Sequence, residues 1–337
     1  MTTIRAKAPL RVSFAGGGTD VAPYPELEGG AVLSATIDRF AYGTLCPRTD
    51  GKISVESVDF GLAIDFGVKD SIVLDGKLDL VKAAIRRHLD REEGGYDLFL
   101  HTGAPPGTGL GSSSTVIVAL VGLLMKRYNL ALTDYDIAEL AYVIEREDLG
   151  IRGGLQDHYA ATFGGFNYIE FDKDQVLVNP LRVSDATVWE LEHNLLLCYT
   201  GMSRSSTQIL EDQTERMTAA VADTLEGLRM QKRLASEMKS ALLRGRHDEF
   251  GELLGHAWSY KKMMSPKIST AYIDEIYDVA RREGAIGGKV TGAGGGGHML
   301  LYCDFRRKHR VAEAILGLGA SVSELSFETR GLTTWRA

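Results

Sequence analysis

The chain has 337 residues, 44% of them hydrophobic and 25% charged, with a formal net charge of −7. That length leads to an expectation of two domains, and the apolar share is ample for a core. The acidic balance speaks against broad nucleic-acid binding but leaves room for an anionic small molecule in a local basic pocket.

In chain order, residues 4–15 read as a strand, with an edge or a bulge at Pro9. Gly16-Gly17-Gly18-Thr19-Asp20, followed by prolines at 23 and 25, reads as a tight turn, with Asp20 equally readable as a helix cap. Residues 30–46 and 52–58 resemble strands of a meander, and 77–89 a short amphipathic helix. Residues 96–103 form a strand that delivers the chain into its most distinctive stretch. Gly103 to Leu120 holds four glycines, two prolines and three consecutive serines, then turns wholly apolar. Ser is a favoured helix N-cap, so a buried helix is expected to start at the serines. A glycine-rich turn that feeds a helix N-terminus suits a phosphate. No Gly-Lys-Ser/Thr closes the stretch, so it is not a Walker loop.

Thr133 to Leu149 reads as a helix with Thr133 and Asp136 as a capping box. Ile137, Leu140, Ala141 and Ile144 form its apolar stripe. Glu145 flanks that stripe and, taken alone, reads as a solvated helix-edge charge, with Glu147 and Asp148 as rivals. Asp157 and His158 follow in a glycine-punctuated stretch, where Asp157 reads as a cap and His158 as a packed, hydrogen-bonded histidine. Strands follow at 166–171 and 176–182. The character changes near 185–194, which divides the chain into 1–185 and 186–337. The second part reads as a strand at 194–201 and a long helical region from 206 to 244, broken at least once. Helices follow at 246–263 and 270–283, then two strands joined by a glycine loop, a helix at 306–318 and a final strand at 320–328. Gly292, Gly294 and Gly297 satisfy GxGxxG formally, but an apolar run follows instead of a helix, so the dinucleotide fingerprint fails. The order of elements suits a split β-α-β unit of the ferredoxin-like kind. Arg204, just before the long helix, reads equally as a surface arginine or as an anion ligand.

Cys46, Cys198 and Cys303 cannot all pair, and their apolar neighbours point to buried free thiols in a reducing compartment. No Cys/His spacing of metal type occurs. The N-terminus lacks a signal-peptide core and no apolar run is long enough to span a bilayer, so a cytoplasmic protein without a membrane partner is expected.

Three segments in this order, APLRVSFAGGGTD (8–20), PPGTGLGSSS (105–114) and KVTGAGGGGHML (289–300), resemble the GHMP small-molecule kinases. The resemblance implies an α+β protein with an N-terminal domain like domain 2 of ribosomal protein S5 and a ferredoxin-like C-terminal domain. ATP would sit between them, its phosphates over Pro106, Gly107, Gly109, Leu110, Gly111, Ser112, Ser113 and Ser114. The resemblance further implies Ser113 and Glu145 as Mg²⁺ ligands, Asp157 as the general base and Arg11 beside the acceptor hydroxyl. Substrate contacts would come from Gly17, Gly18, Thr19, Asp20, Arg204, Gly294 and Gly295. The phrases FAGGGTDVAPYPELEGGAVLSATIDRF, YTGMSRSSTQIL and FETRGLTTWR are most similar to the heptose-phosphate kinases of the superfamily. They imply a kinase for the anomeric hydroxyl of D-glycero-D-manno-heptose 7-phosphate. A fucose kinase or a catalytically silent sugar sensor are the alternatives. Galactokinases carry Glu-His where this chain has Gly17-Gly18, so room is made here and a negative charge removed. For the substrate phosphate, Arg204 ranks first, then Arg39 and Lys7. Assembly is left open, a homodimer included.

Overall fold

The computed structural model describes residues 2–59, 61–105, 107–202 and 206–337. Two antiparallel-dominated sheets organise them, of eight and four strands.

The first sheet is built on β1 (Ile4–Ala15), whose residues are buried continuously from Ala8 onward because helices cover both faces. Its register with the next strand shifts between Pro9 and Arg11, which is the bulge expected at the proline. After the short helix α1 (Tyr24–Glu28) comes the eighteen-residue strand β2 (Gly30–Pro47). Next come β3 (Lys52–Ser57), β4 (Leu62–Gly67), α2 (Asp79–Arg86), β5 (Gly95–Thr102) and α3 (Ser112–Tyr128). The expected meander does not form. β5 inserts between β2 and β3, antiparallel to the first and parallel to the second. α4 (Asp134–Tyr142) carries the expected capping box and runs into a π-helical turn, Val143–Asp148. α5 (Gln156–Phe163), β6 (Phe166–Phe171) and β7 (Val176–Pro180) complete this part, with β6 pairing the first half of β2.

α6 (Asp185–Asn194) leads into β8 (Leu195–Tyr199) and then four helices, α7 (Ser206–Thr218), α8 (Ala222–Leu243), α9 (His247–Met264) and α10 (Ala271–Glu283). β9 (Ala285–Val290), β10 (His298–Cys303), α11 (Lys308–Gly317) and β11 (Ser321–Ser323) follow. The strand order β11-β8-β10-β9 is that of a ferredoxin-like β-α-β-β-α-β unit. The final strand is shorter than expected, and one strand is new. β12 (Thr333–Arg336) returns to the first sheet and pairs β1. The division at 185/186 therefore remains a proposal, with the chain's last residues paired to the first sheet. One core joins the two parts, since Leu10, Val12 and Phe14 pack with Leu197, Leu234, Leu254 and Leu300. Cys198 and Cys303 are buried thiols, Cys46 is half-buried, and none is bonded to another. Among the described residues no helix is long and apolar enough to cross a membrane.

Candidate active site

A cleft of about 300 Å³ opens between the two parts, and all three glycine segments reach it. From the first come Arg11, Gly17, Gly18 and Asp20; from the second Gly107, Gly109, Gly111 and Ser112 to Ser114; from the third Gly294. Glu145 and Asp157 line it as well.

The second segment enters α3 with Gly111 in the left-handed region as N-cap, and among the described residues no side chain caps the helix. The serines are not caps, as their type had suggested. They occupy the first turn, and two are drawn to a carboxylate: Ser113 Oγ donates to Glu145 Oε1 at 2.6 Å and Ser114 Oγ to Oε2 at 2.7 Å. The first-turn amides of α3 are thus left without a side-chain acceptor at the cleft.

Glu145 is buried rather than solvated, because the π turn places it and Ile144 on the inward side together. Burial pushes its carboxyl up. His158 Nε2 at 2.7 Å, Arg146 at 3.4 Å and Ser113 outweigh that and hold it below the usual carboxylate range. The result is an ionised carboxylate beside a serine hydroxyl at the phosphate loop. That oxygen pair fits Mg²⁺, which takes one or two protein carboxylates and leaves its other positions to phosphates and water. The rival Asp148 faces away, bound by Arg87 at 2.7 and 2.8 Å. His158 is fully buried and hydrogen-bonded, as read from its setting.

Asp157 lies in the first turn of α5. Arg11 grips its Oδ1 through Nε at 2.7 Å and Nη2 at 2.6 Å, while Nη1 donates to the Gly109 carbonyl at 2.7 Å. One arginine therefore ties the acid to the phosphate loop. The opposing β9–β10 loop closes on the same loop, since His298 N–H donates to the Thr108 carbonyl at 2.9 Å. A side chain on Gly109 would meet the Thr291 carbonyl 2.5 Å away, so only glycine permits this approach.

The turn Gly16-Gly17-Gly18 is held by three polar side chains that the sequence reading missed. Gly16 N–H donates to Gln231 of α8 at 3.1 Å, Lys261 of α9 donates to the Gly17 carbonyl at 3.4 Å, and Gln213 of α7 donates to the Gly18 carbonyl at 3.3 Å. The available signal was a lone polar residue on the apolar face of each helix. Asp20 does not cap the helix that follows it, whose N-cap is Pro23, but meets the first amide of α5. Its carboxylate accepts from Gly18 N–H and from both the backbone and side chain of Gln156.

Other expected contacts fall elsewhere. Thr19 does not line the cleft: its Oγ1 donates to the Gly16 carbonyl at 2.8 Å and accepts from Ala31 N–H at 3.0 Å, fastening the turn. The Leu110 side chain belongs to the core joining the two parts. Gly295 turns its N–H to the Ile268 carbonyl at 2.7 Å, away from the cleft. Arg39 donates to Ser323 at 2.6 Å, and Lys7 sits over the Phe40 ring near Glu328, so neither reaches the cleft. Pro106 and Arg204 lie outside the described residues.

Residues 79–165 match the GHMP kinases N terminal domain, and residues 238–320 match the GHMP kinases C terminal domain. A D-glycero-alpha-D-manno-heptose 7-phosphate kinase of Campylobacter jejuni is 38% identical, covering all of both chains. The crystal structure of a D-glycero-D-manno-heptose 1-phosphate kinase from Bacteroides thetaiotaomicron superposes with a TM-score of 0.84 at 35% identity, over 99% of each chain. A bifunctional fucokinase/GDP-fucose pyrophosphorylase of Arabidopsis thaliana is 28% identical over 88% of this chain and 29% of that protein. Profile, full-length similarity and the convergence of the three glycine segments on one cleft agree, and the chain belongs to the GHMP kinases.

Proposed function

We propose that this kinase transfers the γ-phosphoryl group of ATP to the anomeric hydroxyl of D-glycero-D-manno-heptose 7-phosphate, giving the 1,7-bisphosphate. The Arg11 bridge carries the reading, because it fixes a carboxylate on the acceptor side at a set distance from the phosphate loop. Full-length similarity to a heptose 7-phosphate kinase supports the choice of sugar over fucose.

In this reading the loop from Gly107 to Ser114 and the open end of α3 receive the ATP phosphates. Ser113 and Glu145 hold Mg²⁺, whose role when bound is to offset charge on the phosphoryl oxygens. Among the described residues, no hydrogen bond reaches Asp157 Oδ2, which is left to take or orient the hydroxyl proton. The hydroxyl oxygen bonds to the γ-phosphorus as the bond to the β–γ bridging oxygen breaks and ADP leaves. Arg11 holds Asp157 aimed, gripping Oδ1 and leaving Oδ2 toward the cleft. The enzyme would act in the cytoplasm, where ATP is supplied. An ADP-release assay over heptose 7-phosphate, heptose 1-phosphate, free heptose and fucose tests the proposal. Heptose 7-phosphate should give the highest kcat/KM. A faster reaction with fucose, or release with no sugar, would overturn it.

A further inference from the structure

Four cationic side chains of the described residues line the cleft, and three have carboxylate partners. Arg11 is paired with Asp157, Arg146 with Glu145, and Arg152 with Glu211 at 3.5 Å. Lys261 has none. Its ammonium is buried and, among the described residues, reaches only the Gly17 carbonyl, at 3.4 Å. Asp20 is near enough for its charge to favour the ammonium, but its oxygens are already engaged by Gly18 and Gln156.

A second buried lysine is near enough to feel the charge of Lys261. Lys289 Nζ donates to the Ser13 carbonyl at 2.8 Å and likewise forms no ion pair among the described residues. Burial lowers both ammonium groups, and their mutual repulsion and Arg11 add to it for Lys289. Two unpaired buried cations at one place are costly to a fold unless an anion joins them. They occur in a chain whose overall charge is −7.

Gly17 determines what can reach them. A β-carbon there would lie 3.8 Å from Lys261 Nζ, 3.6 Å from Gln156 Nε2 and 3.5 Å from Ser13 Oγ, a hydroxyl with no partner among the described residues. The missing side chain therefore leaves open a space bordered by hydrogen-bonding groups and an ammonium. We propose that Lys261, uncovered by Gly17, recognises the phosphate already carried by the sugar substrate. The proposal rests on the sugar-phosphate reading above, and it replaces Arg39 and Lys7 in that role.

The test compares wild type with Lys261→Met, Lys261→Arg and Gly17→Glu, using heptose 7-phosphate and free heptose. Lys261→Met should raise KM for the 7-phosphate by roughly 10²-fold, the scale of a lost charged contact. kcat should stay within a few-fold, and because Lys261 also holds the Gly17 carbonyl, KM for free heptose should shift a few-fold at most, far less than that for the 7-phosphate. Lys261→Arg should recover part of the loss. Gly17→Glu has ordinary backbone geometry and no close clash, so it should fold. It should give the same loss by placing a carboxylate against the ammonium. An unchanged KM in both variants would overturn the proposal. So would an equal fall in kcat with both sugars, which would assign Lys261 to the transferred phosphoryl group instead. If wild type phosphorylates no heptose phosphate, the functional reading fails separately. Calorimetric titration of inorganic phosphate into enzyme saturated with Mg²⁺ and a non-hydrolysable ATP analogue then decides. Binding that Lys261→Met abolishes supports the anion site, whereas equal binding, or none in wild type, overturns it.

Discussion

Glu145 takes hydrogen bonds from Ser113, Ser114 and His158, so its carboxylate is held ionised and in place before any metal arrives. Glu145→Gln should raise the Mg²⁺ concentration needed for half-maximal rate by about tenfold or more, because a neutral amide is a poorer ligand for a hard cation. Mg²⁺ titration at fixed ATP checks this, with Asp148→Asn as a control that should not shift the curve. Asp157→Asn should leave ATP binding nearly intact and lower turnover by roughly 10²–10⁴. A loss of only a few-fold would remove Asp157 from the chemistry. A pH dependence follows from Lys261, which burial drives down to about 8, the facing Asp20 opposing and Arg11 adding to the shift. The ammonium is present below that pH and lost above it. For wild type, kcat/KM for the sugar phosphate should therefore fall above pH 8 while that for free sugar stays flat, a difference that Lys261→Met should erase. Asp157 and Ser113 could be placed from their motifs. Glu145 could be nominated from its phrase but not shown to be buried, because a 3.6-residue period puts it beyond the stripe and only the wider turn brings it inward.

Elements were legible wherever local pattern decided them. The periodicity around Ile137 and the capping box at Thr133 gave α4, and alternation with turn residues gave β6 and β7. Pairing was not legible, because β5 and β3 meet through a crossover that no short-range signal announces. The same limit hid the grip of α7, α8 and α9 on the glycine turn, since Gln213, Gln231 and Lys261 meet partners 195, 215 and 244 residues away. Loop also packs closely against loop. Gly109 has φ +81°, and its missing Cβ faces the Thr291 carbonyl. Gly109→Ala should cost about 2 kcal/mol or more through backbone strain and displacement. For a chain of 337 residues that corresponds to a Tm lower by about 3 °C or more. ATP KM should rise more than sugar KM. Thermal unfolding together with two-substrate kinetics would show this, and an unchanged Tm would mean the loops are not pressed together.

At the scale of the whole molecule the two ends of the chain meet. β12 covers the outer side of β1 from Ile4↔Arg336 to Lys7↔Thr333, and Ala337 N–H donates to the Thr3 carbonyl at 2.9 Å. Leu332 fills the space above Gly122 of α3. Deleting residues 332–337 should lower Tm and expose the β1 edge to pairing between molecules. Light scattering that grows with protein concentration, absent from the full chain, is the expected result. An unchanged Tm with no scattering would show that the last strand is dispensable.

The pairing of first strand with last also bears on how the protein is made. A ribosome adding roughly 5–20 residues per second needs about 20–70 s for a chain of this length. For most of that time β1, which carries Arg11, waits for an outer neighbour that has not been synthesised. The outer edge of the sheet that holds half of the cleft can be covered only once Thr333–Arg336 has been made. Nascent chains are thus at greatest risk of sticking to one another through β1, and a holding chaperone would find its footing there.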